Sequence, residues 1–302
     1  MTPGAMTSGA ATIKTIPGPD PHTRTPAFRL PPLSCDTHCH IFGPGDVYPY
    51  DPKRSYTPPD APLPAFKALH ATLGVERAVI VNASVHGTDN RVALDAIAQS
   101  NGRYRAVANI DGSIDEKGIE ALHAGGFRGC RFNFVRHLGG VPDMTVFDRI
   151  VAMVAPFGWH IDLHFDAIDL PQYADMLARL PVPYTIDHMG RVQAGEGLDQ
   201  LPFRTLIDLM RRDEKCWVKI CGAERVSTMG PPFHDAVPFA RKILETAPDR
   251  VIWGTDWPHP NVKVMPNDGD LVDLIPLFAP EPELQRKVLV ENPARLFDFN
   301  DA

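Results

Sequence analysis

A chain of 302 residues with 44% hydrophobic and 22% charged side chains has an ordinary globular composition, and at this length about three quarters of the surface of the unfolded chain can be buried. A net charge of -7 excludes the basic excess of a nucleic-acid-binding surface, and no apolar run approaches the ~20 residues of a membrane span. A few local arginines still allow an anionic small molecule as partner.

Residues 1–30 are rich in Pro, Thr and Gly with little apolar periodicity, and read as a flexible leader ahead of one barrel domain over 31–302. From residue 33 onward, short apolar runs alternate with longer amphipathic segments, the pattern of repeated βα units on a parallel sheet. The strand candidates are 33–40, 78–84, 104–110, 129–134, 160–165, 184–188, 217–221 and 251–256. A helix near 64–73 follows the first. After the second, Thr88 and Asp89 open a helix with Ala93, Leu94, Ile97 and Ala98 at helical spacing and Gly102 just past its end. Further helices are expected near 115–124, 145–156, 169–179, 200–212, 234–247 and 282–291. Eight units suit a closed α/β barrel of the (β/α)8 TIM type, with an open doubly wound sheet as the alternative. The five cysteines are odd in number, and four lie in or beside apolar runs. That usage, with an N-terminus lacking the apolar core of a secretory signal, points to a reduced cytoplasmic setting.

Barrel sites form where strands end, so the polar residues that close these runs are the ones to inspect. They are His38 and His40, Ser84 with His86, Arg131, His164, His188 and Asp256. One histidine at a strand end is ordinarily a hydrogen-bonded structural residue. Four histidines and an aspartate at one barrel mouth concentrate buried polarity that a metal or a polar substrate explains better. His38 and His40 stand two apart, so on a strand both face the same side while Cys39 faces the other. Together with His164, His188 and Asp256 they form a nitrogen and oxygen donor set suited to Zn²⁺ or another divalent transition ion. Such an ion activates water, and Asp256, in Trp253-Gly254-Thr255-Asp256-Trp257-Pro258, is the candidate general base.

The His-x-His of the first strand, Ile186-Asp187-His188-Met189-Gly190, Gly254-Thr255-Asp256-Trp257-Pro258 and Asn292-Pro293-Ala294-Arg295-Leu296-Phe297 resemble the amidohydrolase superfamily over nearly the whole chain. The runs 83–90, 129–134 and 256–261 resemble in particular its hydrolases of 2-pyrone-4,6-dicarboxylate and 4-sulfomuconolactone. The resemblance implies opening of a small anionic lactone from aromatic degradation, with Tyr56, Ser84, His86, Arg131, Arg225 and Asn261 holding the anionic groups and lactone oxygens. A guanidinium fork pairs well with carboxylate or sulfonate, which agrees with the role implied for Arg131; Arg225 also reads as a surface charge.

Two departures stand out. Arg136 and His137 replace a Lys-Arg pair expected of the dicarboxylate enzymes, and His164 stands where their pattern has Tyr. The latter favours a metal-bound, sulfomuconolactone-type enzyme that releases maleylacetate and sulfite. His164 either completes the ligand set or donates a hydrogen bond to a substrate carboxylate. The segment 41–63, with Tyr48, Tyr50 and Tyr56 among prolines, reads as a loop covering the substrate. The competing readings are pyrone dicarboxylate hydrolysis, a metal-dependent decarboxylase of the same superfamily, and a non-catalytic barrel that binds anionic aromatics or a metal.

Overall fold

In the computed structural model, which describes residues 13–299, eight parallel strands follow one another in sequence around a sheet. They are β1 (Cys35–Cys39), β2 (Arg77–Val81), β3 (Tyr104–Ala108), β4 (Phe127–Asn133), β5 (His160–His164), β6 (Tyr184–Ile186), β7 (Cys216–Lys219) and β8 (Val251–Ile252). Nearly every strand residue is buried, as a parallel sheet covered by helices requires. The outer helices include α1 (Leu63–Leu73), α2 (Arg91–Ala98), α3 (Glu116–Ala124), α4 (Met144–Val154), α5 (Leu170–Leu177), α6 (Leu201–Arg212) and α7 (Val237–Thr246). Asp115 and Asp143 cap α3 and α4 by accepting backbone N–H bonds. Among the described residues no helix is long and apolar enough to cross a membrane.

The sheet closes without a regular ladder between β1 and β8. Thr37 N donates to Trp253 O (3.0 Å), Asp256 N to His38 O (2.7 Å) and His40 N to Trp257 O (2.7 Å). The Asp36 carboxylate reinforces this seam. It accepts from Thr255 N (2.9 Å), Thr255 Oγ1 (2.6 Å) and His38 N (3.1 Å), and lies 3.2 Å from His70 Nε2 of α1.

Several strands are shorter than the apolar runs suggested. β6 stops at Ile186 and β8 at Ile252, because the backbone then turns: His188 and Asp256 have φ of 53° and 67°. Residues that end an apolar run here belong to turns that carry the site. The last helical stretch runs from Pro282 to Phe297 and passes through a wider turn at Lys287–Glu291.

Of the stretch read as a leader, residues 1–12 lie outside the described residues. Residues 13–30 are fastened to the barrel: Lys14–Thr15 pairs with Tyr56–Thr57, Ile16 and Leu30 are buried, and Arg24 pairs with Asp270 (2.6 Å) and Asp273 (2.5 Å). Low periodicity concealed this strap, because its buried apolar residues, Ile16 and Leu30, stand far apart and charges and backbone bonds supply the rest.

The seam yields a stability prediction. Asp36→Asn leaves buried donors imperfectly matched and is expected to lower unfolding free energy by about 2–4 kcal/mol. An unchanged urea midpoint would show that the backbone bonds suffice alone.

Candidate active site

Where the strands end, His40, Tyr56, Ser84, Arg131, His137, His164, His188, Arg225, Asp256 and Asn261 line a narrow cleft. At its floor, ligand atoms of His38, His40 and Asp256 lie within 4.8 Å of one another. Asp256 Oδ1 is 3.3 Å from His40 Nε2 and 3.6 Å from His38 Nε2. His40 Nδ1 stands 2.8 Å from Val81 O, an acceptor, so Nδ1 carries the hydrogen and Nε2 presents a lone pair to the carboxylate. Two acceptors facing each other call for a cation between them. His38 Nε2 and Asp256 Oδ1 are both buried with no hydrogen-bond partner, so this donor set fits a divalent ion.

His188 stands beside the pair, its ring centroid 4.7 Å from that of His38 and its Nδ1 3.2 Å from Cys221 Sγ. Burial holds the His188 imidazole well below its ordinary pKa and lowers that of His40, so both stay in the neutral, ligating form. His164 is placed differently from the expectation that it completes the ligand set. Its Nδ1 faces Asn133 Oδ1 (3.1 Å) and its Nε2 faces Arg191 Nη1 (3.3 Å), so both nitrogens are engaged within the protein.

The Asp256 carboxylate is asymmetric. Arg225 donates to Oδ2 from Nε (2.6 Å) and reaches it with Nη2 (2.5 Å), while Oδ1 has no donor. Burial alone would raise the pKa of this group, but the Arg225 guanidinium holds it well below the usual carboxylate range. Arg225 is thus a partner of the candidate base rather than a surface charge. Arg131 Nη2 donates to Asp187 (2.7 Å), and its buried Nε has no partner. Tyr56, hydrogen-bonded to Ser84, is pushed up to about 12 by burial and stays protonated. Asn261 stands on the rim in a left-handed conformation, φ 60°.

His86 is not brought to the cleft. Its Nε2 accepts from Gly43 N (3.3 Å) and its ring stands 5.0 Å from that of Tyr50, so it braces the 41–63 loop. Tyr48 and Tyr50 likewise bond within the protein, to Asp95 (2.6 Å) and Asp60 (2.7 Å).

Sequence reasoning missed the charges beneath the site. Lys219 is fully buried and its ammonium reaches Asp162 (2.7 Å) and Asp187 (3.1 Å), while His38 Nδ1 stands 3.2 Å from the same Asp187 oxygen, the acceptor that leaves His38 Nε2 as the lone pair. Burial would lower the lysine pKa, yet the two aspartates raise it. A lysine and an aspartate inside otherwise apolar strands were the available signal, since a buried charge needs a partner. Below Asp256, His259 Nε2 lies 3.0 Å from Asp268, and its Nδ1 lies 3.8 Å from Glu224. Burial opposes protonation, but Asp268 and Glu224 outweigh it and lift the imidazole to about 10.

The profile of the amidohydrolase family matches residues 35–299. The chain is 45% identical over 284 residues to a 4-sulfomuconolactone hydrolase of Hydrogenophaga intermedia, covering 93% of each chain. It is 44% identical over 281 residues to a 2-pyrone-4,6-dicarboxylate hydrolase of Comamonas testosteroni, covering 90% of this chain and 92% of that one. An apo crystal structure from Agrobacterium tumefaciens superposes with a TM-score of 0.81 at 29% identity, over 92% of this chain and 100% of the other.

The geometry separates the histidines experimentally. Metal analysis is expected to find about one divalent ion per chain, lost in His40→Ala and retained in His164→Tyr. Equal loss in both variants would return His164 to the ligand set.

This chain belongs to the amidohydrolase family.

Proposed function

We propose that the cleft hydrolyses an anionic lactone, with 4-sulfomuconolactone as substrate and Asp256 as general base. The observation that carries this reading is the divided Asp256 carboxylate: one oxygen is clamped by Arg225, and the other is free of donors beside His38 and His40. Similarity to two lactone hydrolases supports the ring chemistry.

A Zn²⁺ or similar ion held by His38, His40, His188 and Asp256 would polarise a lactone carbonyl and lower the pKa of a water. Asp256 Oδ1 takes the proton from the attacking water and delivers it to the ring oxygen as the carbonyl C–O bond breaks. Arg225 keeps the carboxylate ionised and fixes its orientation. The unpartnered Nε of Arg131 holds a carboxylate or sulfonate on one wall, while Tyr56, Ser84 and Asn261 direct hydrogen bonds at the lactone oxygens. For sulfomuconolactone, ring opening leaves one carbon bearing both hydroxyl and sulfonate; it expels sulfite and becomes the ketone of maleylacetate. Nothing in this scheme requires a macromolecular partner.

Both lactones are to be assayed by loss of ultraviolet absorbance, because the two named relatives are almost equally similar. Turnover of sulfomuconolactone with stoichiometric sulfite is expected, and turnover of pyrone dicarboxylate alone would reassign the substrate. Carbon dioxide release without lactone loss would replace hydrolysis by decarboxylation. Asp256→Asn is expected to lower kcat by about 10²- to 10⁴-fold, whereas unchanged turnover would remove Asp256 as the base.

A further inference from the structure

The three imidazoles assigned to the ion are each engaged at Nδ1. His38 Nδ1 stands 3.2 Å from Asp187 Oδ1 and His40 Nδ1 stands 2.8 Å from Val81 O, while His188 Nδ1 stands 3.2 Å from Cys221 Sγ. That pattern leaves Nε2 of every ring as the nitrogen available to an ion. A carboxylate and a carbonyl are the ordinary acceptors for the outer N–H of a ligating histidine, whereas a thiol sulfur is a weak one. The hydrolytic scheme gives Cys221 no part.

The backbone around Cys221 is shaped to this contact. Cys221 follows β7 and is buried, as is His188. Gly222, next in the chain, has φ 72°, and a Cβ there would stand 2.9 Å from His188 Nδ1 and 3.0 Å from His188 Cβ. Glycine is therefore required on two counts, by the left-handed backbone and by the imidazole lying against it. His188 needs such a holder. It follows the end of β6 by two residues, and φ is 53° at His188 and 52° at Met189, conformations that persist only where the surroundings over-determine them. With an ion at Nε2, the neutral ring carries its hydrogen at Nδ1 and Cys221 Sγ accepts it. Without that acceptor the ring is free to turn, or to move its hydrogen to Nε2 and lose the ligating lone pair.

We propose that Cys221 is a positioning residue for the ion site: its sulfur accepts the Nδ1 hydrogen of His188 and, with the bare backbone of Gly222, holds that ring in its ligating orientation. The inference rests on His188 being a ligand, as the hydrolytic reading has it, but it is tested by metal affinity and needs no lactone.

Zn²⁺ affinity of the purified full-length protein, stripped of metal and titrated in competition with a chromophoric chelator, tests this without turnover. Cys221→Ala is expected to weaken Zn²⁺ about tenfold or more, and Cys221→Ser, which keeps a hydrogen-bonding atom in place, by less than about threefold. Cys130→Ala removes another fully buried thiol, on β4, and is expected to leave the affinity unchanged. Urea midpoints of the metal-free proteins report the packing lost in each. Cys221→Val fills the space without supplying an acceptor, and it carries the test if the alanine variant fails to fold. Co²⁺ in place of Zn²⁺ is expected to give no sulfur-to-cobalt charge-transfer band, because the sulfur touches the imidazole and not the ion. Wild-type affinity without the thiol, a serine variant as weak as alanine, an equal loss in Cys130→Ala, or a sulfur-to-cobalt band would each overturn the assignment. So would a wild type that binds no divalent ion. Failure to hydrolyse either lactone, with the expected order of affinities intact, would sink the lactonase reading and leave the role of Cys221 standing.

Discussion

Three backbone hydrogen bonds, from Thr37 to Trp253, from Asp256 to His38 and from His40 to Trp257, join the first strand to the segment that follows the last. They close the barrel where no regular ladder does. They also set Asp256 directly against His38 and His40, so the contact that completes the fold assembles the floor of the site. Asp36 strengthens both functions, because the Thr255 it grips is the neighbour of Asp256. The site is therefore as rigid as the seam, which suits groups that must be held within a fraction of an ångström.

Charge pairing governs everything above that seam. An isolated ion in a barrel interior is prohibitively unfavourable, and the buried cations around the site are matched: Lys219 with Asp162 and Asp187, Arg131 with Asp187, Arg225 with Asp256, His259 with Asp268. Once the matches are made, the atoms left over are informative. His38 Nε2 and Asp256 Oδ1 remain without partners at the cleft floor, and Arg131 Nε remains in its wall. Such atoms are uncommon in native interiors, and three of them gathered at one cleft fit a ligand there.

The fold was legible because short apolar runs and amphipathic helices are local signals. His38, His40, His188 and Asp256 were legible because each closes such a run. What escaped the sequence was partnership. Lys219 and Asp162 are 57 residues apart in the chain, and no local pattern announces that they meet. Arg225 read equally well as a surface charge until its two contacts with Asp256 were seen. His86 fails in the opposite sense. Its place two residues after Ser84 points it at the cleft, but a short helical turn at Ser84–His86 sends its ring to the loop instead.

The same distinction explains how the N-terminal strap takes part in the structure. Arg24 holds Asp270 and Asp273 of the short helix Asp268–Asp273. That helix presents Asp268 to His259, and His259 N donates to Asp256 O at 2.7 Å. Asp256, His259 and Asn261 all have positive φ, conformations that cost of order 1–3 kcal/mol each and persist only where neighbours over-determine them. The strap, the helix and the buried imidazolium form one contiguous set of contacts that holds this turn in its strained form. Seen through those contacts, a segment whose composition suggests disorder is a support for the carboxylate at the centre of the cleft.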